Sequence, residues 1–284
     1  MNDFLKNFFY SFVPIKLLTK KYNPILLYHS IGVYSNFDDN FDHVNLDILN
    51  TQLKYIQRYW KFVSIDDYLN SSNKTGLASL TIDDGYKNVI DEALTVFKDL
   101  NIPITIFINS SSFQGKISWR DKIRYLISNK KVKEYVISSN LFSNDHIKNF
   151  YSVSKNPIFN SIEVEKSIDD FLLKENINLN STNKLCFDSS RYLIKDNLIS
   201  YGNHTANHYV LSSLSKKEQY NEILKCKNFL EKIDINKSEV FSVPFGGKNS
   251  FNDHTILNLK ELNYNKILKS TNCLNGSIIT DQID

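Results

Sequence analysis

Apolar positions along the chain alternate between two spacings, which predict alternating strands and helices. Compact apolar runs at 24–31 (PILLYHSI), 76–82 and 102–108 are typical of buried strands. Residues 45–60 (NLDILNTQLKYIQRYW) place apolar side chains at helical spacing, with Asn45 as a candidate N-cap. Repeated alternation of this kind favours a parallel α/β sheet or barrel over a sandwich or a helix bundle.

One long segment, residues 118–185, interrupts this alternation. It is rich in Asn, Ser and Lys, and its helical periodicity is weak. Its apolar residues look too scattered for a core of their own, so the segment is predicted to be an insertion on a loop, between two strands that carry the site. The 284-residue chain is therefore predicted to hold one domain over 24–284, preceded by a separate N-terminal segment over 1–23.

The N-terminal segment is aromatic and basic. Its apolar residues recur at helical spacing with lysines nearby, and no run approaches the roughly 20 apolar residues of a membrane span. No small-residue cleavage site follows it, so a cleaved signal peptide is not expected. Two interpretations stay open: a helix lying on a membrane surface, or a helix packed on the domain.

Composition narrows the choice of function. Hydrophobic residues make up 42% and charged residues 23%, which is typical of a globular protein, and the net charge of +3 is not gathered into a basic stripe. Nucleic acid is therefore not expected as a partner. The three cysteines (Cys186, Cys226 and Cys273) form no CxxC pair, so buried thiols are expected rather than a disulfide framework. Nothing indicates an oligomeric state.

The most informative stretch is ASLTIDDGYKN, residues 78–88, because it sets two carboxylates side by side after a predicted strand. Adjacent carboxylates repel and raise each other's pKa. An Asp-Asp-Gly sequence is also typical of a helix N-terminus, where acids are favoured. A second motif changes the balance: His204 and His208 are spaced i, i+4, which predicts two imidazoles on one helix face that could grip a metal.

Together the two motifs predict a metal site. One carboxylate can join the histidines as a ligand, and the cation then relieves the repulsion between the aspartates. The other carboxylate stays free to take a proton from water. Consecutive strand residues point to opposite faces, so a turn begun at Gly85 is needed to bring both carboxylates to one site.

These motifs resemble those of the polysaccharide deacetylases, the fourth family of carbohydrate esterases. Residues 81–85 (TIDDG) are similar to the family's T-F-D-D-G, and residues 202–208 (GNHTANH) to its H-[ST]-x-x-x-H. Residues 241–247 (FSVPFGG) are similar to the motif that forms the far wall of the cleft. Residues 26–31 (LLYHSI) resemble the opening of the circularly permuted branch that includes biofilm poly-N-acetylglucosamine deacetylases. The resemblance runs from about 24 to 274, apart from the insertion.

The resemblance implies a fold and a metal site. The fold would be an irregular, deformed TIM-like (β/α) barrel of seven strands, with the site at the carboxyl ends of the strands. Asp83 would be the general base. Asp84, His204 and His208 would hold one divalent metal ion, with Zn²⁺ expected and Ni²⁺ or Co²⁺ as alternatives.

The resemblance also assigns the surroundings of the metal. Pro244 and Phe245 would form the wall, with the Phe245 N–H facing the oxyanion. The family's late histidine motif has no counterpart here, because His254 lies too near the wall motif. The general acid would then be His29, as in the permuted branch; a histidine that merely ends a strand is the alternative. Four aromatic residues are candidates for stacking on sugar rings: Tyr28, Tyr86, Trp119 and Tyr209.

One departure concerns the base. Many relatives carry an arginine in the wall motif that pairs with the base aspartate, whereas Ser242 or Val243 stands near that position here. How Asp83 is tuned therefore stays open.

The resemblance implies a hydrolase that removes the N-acetyl group from an amino sugar of a surface polysaccharide or its precursor, with an N-acetylated glycan as substrate. Two alternatives stay open: a deformylase or deacetylase of a lipid-linked sugar, and a catalytically inactive glycan-binding protein. The N-terminal segment fits a cytoplasmic enzyme that is peripheral to the inner membrane.

Overall fold

A curled parallel sheet organises the part of the chain that the computed structural model describes, residues 22–32, 43–179 and 190–270. Seven strands of these ranges form the sheet, and β2 and β3 pair separately. In chain order the strands are β1 (Ile25–Tyr28), β2 (Ser30–Ile31), β3 (His43–Val44), β4 (Lys61–Val63), β5 (Leu77–Ile82), β6 (Ile104–Ile108), β7 (Ile199–Asn203), β8 (Lys237–Ser242) and β9 (Lys266–Leu268).

The order of the strands confirms the predicted fold class, an irregular (β/α) barrel. The path runs β1-β5-β6-β7-β8-β9, with β4 pairing to β5 as well, and each of these pairs is parallel. Parallel strands joined by helical crossovers place all their carboxyl ends at one edge. The loops that carry the predicted site leave the sheet at that edge.

Helices connect the strands, several of them where the apolar spacing predicts a helix. They are α1 (Leu46–Gln57), α2 (Ile65–Asn70), α3 (Leu94–Asp99), α4 (Trp119–Ser128), α5 (Val132–Ser138), α6 (Phe150–Ser154), α7 (Ser161–Lys174), α8 (Lys216–Glu231) and α9 (Asp253–Glu261). The predicted cap of α1 is present, since the Asn45 side chain accepts a hydrogen bond from the Ile48 N–H. A π-helical turn, Val89–Ala93, precedes α3.

The central strands lie in the interior of the protein. Every residue of β6 is buried, as are all residues of β5 after Leu77. Such continuous burial is expected for parallel strands that are covered on both faces. The sheet therefore gives the loops at its carboxyl edge a rigid base.

The structure corrects the expectation for residues 118–185. The described part of this segment folds into four α-helices, and side chains such as Ile123, Tyr135 and Ile168 are buried in the same hydrophobic cluster as the strands. Its apolar residues look scattered in sequence because each short helix contributes only a few of them to a core shared with the barrel. Residues 118–179 therefore contribute to the core of the barrel, although they lie between β6 and β7 as an insertion.

The N-terminal segment predicted over 1–23 lies outside the described residues except for Tyr22 and Asn23, and its contact with a membrane stays a prediction. No helix among the described residues is both long enough and apolar enough to cross a bilayer. Cys186 and Cys273 also fall outside the described ranges, whereas Cys226 is a buried free thiol, as expected.

Candidate active site

Four strand ends meet at the carboxyl edge of the sheet and bring the predicted site residues together. Asp83 and Asp84 follow β5, and His204 and His208 follow β7. Tyr28 of β1 is the register partner of Ile82 of β5, so the residues after them leave the sheet side by side. β8 ends at Ser242 and leads into the wall motif.

The turn after β5 directs both aspartates into the site. Asp84 has a φ of 73° and Gly85 a φ of 67°, so two successive residues adopt the left-handed conformation. This reversal breaks the strand alternation that would point the two carboxylates apart. A Cβ on Gly85 would lie 2.9 Å from Cγ2 of Ile108, so only glycine fits. The predicted need for a turn at Gly85 is thus met, and the turn already begins at Asp84.

The two histidines lie close together, but the prediction that they share a helix face is wrong. Residues 204–208 form a loop, in which Thr205 and His208 have φ values of 69° and 58°. The Asn203 side chain accepts a hydrogen bond from the Thr205 N–H, and the Thr205 hydroxyl accepts one from the His208 N–H. These side-chain acceptors satisfy backbone N–H groups that a helix would otherwise pair. The ring centroids of His204 and His208 are nevertheless 4.8 Å apart.

Asp84, His204 and His208 form a donor set that fits a divalent metal ion. Oδ1 of Asp84 lies 3.3 Å from Nε2 of His208 and 3.7 Å from Nε2 of His204. Ligands of a tetrahedral zinc ion, bound at about 2.0–2.1 Å, lie roughly 3.3 Å apart. All three residues are buried, and their ligand atoms lie within 4.8 Å of one another.

Unpaired polar atoms support the same assignment. Oδ1 of Asp84 and Nε2 of His204 are buried and have no hydrogen-bond partner among the described residues. A buried polar atom without a partner is rare and points to a missing ligand, such as an ion. Carboxylate and imidazole donors at these distances suit Zn²⁺.

Different features of the surroundings favour metal binding by the two histidines. Nδ1 of His204 lies 2.8 Å from the carbonyl oxygen of Ser242, to which its N–H donates, so the lone pair falls on Nε2. Burial, reinforced by the nearby Arg120 guanidinium, holds the pKa of His208 well below its ordinary value. A neutral imidazole is the ligand form, so this environment favours coordination over protonation.

Asp83 has the environment of a base rather than a ligand. Burial is the main cause that raises its pKa, with the neighbouring Asp84 adding to the shift. The Ser242 hydroxyl, 3.2 Å from each carboxylate oxygen, and the nearby His204 and His29 oppose the shift. A carboxylate with a raised pKa is a stronger proton acceptor.

Ser242 therefore contacts the candidate base, and an arginine not predicted from the sequence lies on the other aspartate. Nη2 of Arg120 donates to Oδ2 of Asp84 and, at 2.7 Å, to the Tyr86 hydroxyl. Burial would raise the pKa of Asp84, but Arg120 and the surrounding histidines hold it well below the usual range. The only signal in the sequence was a charged residue beside Trp119 at the start of a weak helix.

The predicted acid and wall also border the site. His29 follows β1, is partly exposed, and interacts electrostatically with Asp83 and Asp84. The Phe245 ring centroid lies 4.5 Å from that of His208, and Phe245 follows the buried Pro244 with a φ of 64°. These placements agree with the predicted positions, while the chemical roles stay predictions. His254, by contrast, is exposed on α9.

Burial contradicts the predicted sugar-stacking role of three of the four aromatic candidates. Tyr86 donates to Asp121, Trp119 donates to the carbonyl of His208, and the Tyr209 hydroxyl donates to Glu165. All three rings are at most 5% exposed, so they present no free face to a sugar. Their polar tips link buried groups instead. Tyr28 is partly exposed and stays a candidate.

The fold and the site together describe a (β/α) barrel with a candidate metal centre beside a second buried carboxylate. The model of the polysaccharide deacetylase family matches residues 171–267, which include His204, His208 and Phe245 but not the two aspartates. Over these residues the match supports the resemblance inferred from the motifs. No curated protein matches the sequence.

Solved structures of low sequence identity share the fold. BC0361, a polysaccharide deacetylase from Bacillus cereus, is 16% identical with a TM-score of 0.51, over 93% of this chain and 62% of its own. A de-N-acetylase from Aggregatibacter actinomycetemcomitans is 13% identical with a TM-score of 0.50, over 88% and 87% of the two chains. IcaB from Ammonifex degensii is 14% identical with a TM-score of 0.50, over 88% and 84%.

Proposed function

We propose that the chain is a metal-dependent hydrolase that removes the N-acetyl group from an amino sugar of a surface polysaccharide or its precursor. One observation carries the proposal: the buried Asp84, His204 and His208 converge with unpaired donor atoms directly beside a second buried carboxylate, Asp83. The family match supplies the class of reaction. As part of the proposal, the aromatic and basic N-terminal segment fits a cytoplasmic enzyme that is peripheral to the inner membrane.

Asp84, His204 and His208 would hold the cation, for which Zn²⁺ is the best fit. When bound there, a divalent ion supplies a Lewis acid and makes water a better nucleophile at neutral pH. The side chains of the protein contribute two proton transfers to the reaction. Asp83 accepts a proton from the attacking water, because its buried carboxylate has a raised pKa and lies beside the donor set.

The leaving group requires a second proton transfer. The amide C–N bond breaks, the acetyl carbon keeps the oxygen of the water as acetate, and the sugar nitrogen leaves as an amine. His29, on the neighbouring strand end, donates the proton to that nitrogen. The Phe245 ring lies against that of His208, and in this proposal the backbone N–H of Phe245 faces the oxyanion.

The proposal is tested by measuring metal content and product together. Purified wild type is expected to contain about one divalent ion per chain and to release acetate from N-acetylated oligosaccharides. His204→Ala should lose both properties, whereas His254→Ala, an exposed histidine on α9, should keep both. Release of formate rather than acetate would redirect the proposal to a deformylase. Equal metal content in His204→Ala and wild type would overturn the metal site.

A further inference from the structure

Two consecutive residues at the start of α4 each hold a different predicted metal ligand. Trp119 donates from Nε1 to the backbone carbonyl of His208 at 3.0 Å, and Arg120 donates from Nη2 to Oδ2 of Asp84. Both side chains are at most 5% exposed. They come from the segment between β6 and β7, far in sequence from both ligands.

We propose that Trp119 and Arg120 are positioning residues that set the geometry and affinity of the metal site. The inference rests on the proposed function, since it concerns the same donor set. In this inference, the first turn of α4 orients two of the three metal ligands before the ion binds.

The ion pair of Arg120 selects which oxygen of Asp84 is free. Arg120 occupies Oδ2, and Oδ1 is left without a hydrogen-bond partner, facing Nε2 of His208 and Nε2 of His204. A carboxylate held by one oxygen cannot rotate freely, so it presents a single donor atom. The Tyr86 hydroxyl, 2.7 Å from Nη2 of Arg120, fixes the guanidinium in turn.

The hydrogen bond from Trp119 acts on the backbone of the other ligand. His208 has a φ of 58°, a conformation that a residue other than glycine adopts only when its surroundings hold it there. The bond from the Trp119 indole fixes its carbonyl, and the indole ring also contacts Tyr209 and Phe245, the latter of which packs on the His208 ring. Trp119 therefore fastens the loop that carries His208 to the wall motif.

A buried ionic cluster fixes α4 to the same loop. Glu165 of α7 accepts hydrogen bonds from Lys122 of α4, from Lys116, and from the hydroxyl of Tyr209. Lys122 also donates to Asp169, so α4 is tied to α7 as well. Helix α4 and the loop that carries His208 are therefore both tied to α7 through Glu165.

Arg124 provides a matched control. It is a second buried arginine on α4, four residues after Arg120, and it donates to the Tyr86 hydroxyl at 3.1 Å and to Asp121 at 3.2 Å. Its replacement removes a buried guanidinium from the same cluster without deleting the hydrogen bond to Asp84. Loss of charge and packing can thus be separated from loss of ligand orientation.

The experiment measures ion binding by the full chain after metal removal. Zn²⁺ affinity is obtained by competition with a chelator, the visible spectrum is recorded with Co²⁺, and the thermal midpoint is measured without metal. Arg120→Gln is expected to weaken Zn²⁺ binding about 10- to 100-fold and to alter the Co²⁺ spectrum. Trp119→Phe, which keeps an aromatic ring, should weaken binding about 2- to 12-fold. Arg124→Gln should lower only the thermal midpoint.

The outcomes separate this inference from the proposed function. Wild-type affinity and an unchanged Co²⁺ spectrum in both Arg120→Gln and Trp119→Phe would overturn the inference alone, as would an equal loss in Arg124→Gln. If Arg120→Gln does not fold, Trp119→Phe and Arg120→Lys decide by the same two readouts. Wild type that binds neither Zn²⁺ nor Co²⁺ would overturn the proposed function, and this inference with it.

Discussion

The hydroxyl of Ser242 lies 3.2 Å from each carboxylate oxygen of Asp83. The carbonyl of the same residue accepts the hydrogen bond of His204 Nδ1, so the end of β8 orients both the candidate base and a candidate ligand. The side-chain partner of the candidate base is thus a neutral hydroxyl. Because a hydroxyl carries no charge, burial still raises the pKa of Asp83 despite this hydrogen bond.

We predict that Ser242→Ala moves the acidic limb of the pH–rate profile to higher pH. The hydroxyl stabilises the ionised form of Asp83 and so lowers its pKa. Without the hydroxyl the pKa rises further, and a larger fraction of the base is protonated at a given acidic pH. The dependence of kcat/KM on pH measures this shift. Ser238→Ala, earlier on β8, is the control, and an unshifted or oppositely shifted limb for Ser242→Ala would contradict the prediction.

Asp83→Asn should bind metal as wild type does and lose most of its activity. The amide keeps the size of the side chain and can still accept from Ser242, but it cannot take a proton from water. A positioned base contributes about 10²–10⁴-fold to the rate. Metal content and initial rates of acetate release are measured on the same preparation. Activity close to that of wild type would show that Asp83 is not the base, and loss of metal would make it a ligand.

Glu165 allows a test of how the segment after α4 supports the fold. Burial alone would raise its pKa, but Lys122, Lys116 and the Tyr209 hydroxyl hold the pKa below its ordinary value. A group whose pKa is lowered by folding stabilises the protein above its unfolded-state pKa, and this contribution is lost as the pH falls through the folded-state value.

We therefore expect Glu165→Gln to reduce the free energy of unfolding by about 1.5–3 kcal/mol at neutral pH, because it removes one of the two carboxylates that pair with the buried Lys122. The difference from wild type should shrink below about pH 4.3, the ordinary pKa of a glutamate, and vanish once Glu165 itself is protonated. Denaturant unfolding across this range measures it. Glu163→Gln, an exposed acid on the same helix, should change little. A pH-independent difference would contradict the assignment.

Local sequence patterns predict the sheet, most helices and the turn at Gly85, because these features depend on residues near one another in sequence. The strand before Asp83 is a short run of mostly apolar residues, and Asn45 caps its helix as expected. The loop of His204 and His208 was predicted as a helix because i, i+4 spacing suits that geometry. The side chains of Asn203 and Thr205 decide otherwise, since they take up backbone N–H groups.

Local sequence patterns do not predict the contacts of the site between residues far apart in sequence. Arg120 and Asp84 are 36 residues apart, and nothing local to either residue indicates an ion pair. The burial of Trp119 and Tyr209 depends on how α4 and α7 pack over the loop after β7, so their aromatic character alone suggested a sugar-binding surface instead. Tertiary packing, rather than residue type, decides these positions.

We predict that His29 acts as the general acid. It leaves β1 beside Asp83, because Tyr28 and Ile82 are register partners, and it interacts electrostatically with both aspartates. It is not part of the buried donor set of Asp84, His204 and His208. His29→Ala should therefore bind metal normally and lose about 10²–10⁴-fold in rate on amide substrates, whose leaving nitrogen needs a proton.

A substrate with a better leaving group separates this role from a structural one. An activated aryl acetate releases a phenolate that needs no proton, so His29→Ala should lose far less activity on it than on an N-acetylated sugar. His254→Ala, an exposed histidine far along the chain on α9, should leave both rates unchanged. Equal losses of His29→Ala on the two substrates would remove His29 from the acid role, and loss of bound metal would identify it as a ligand instead.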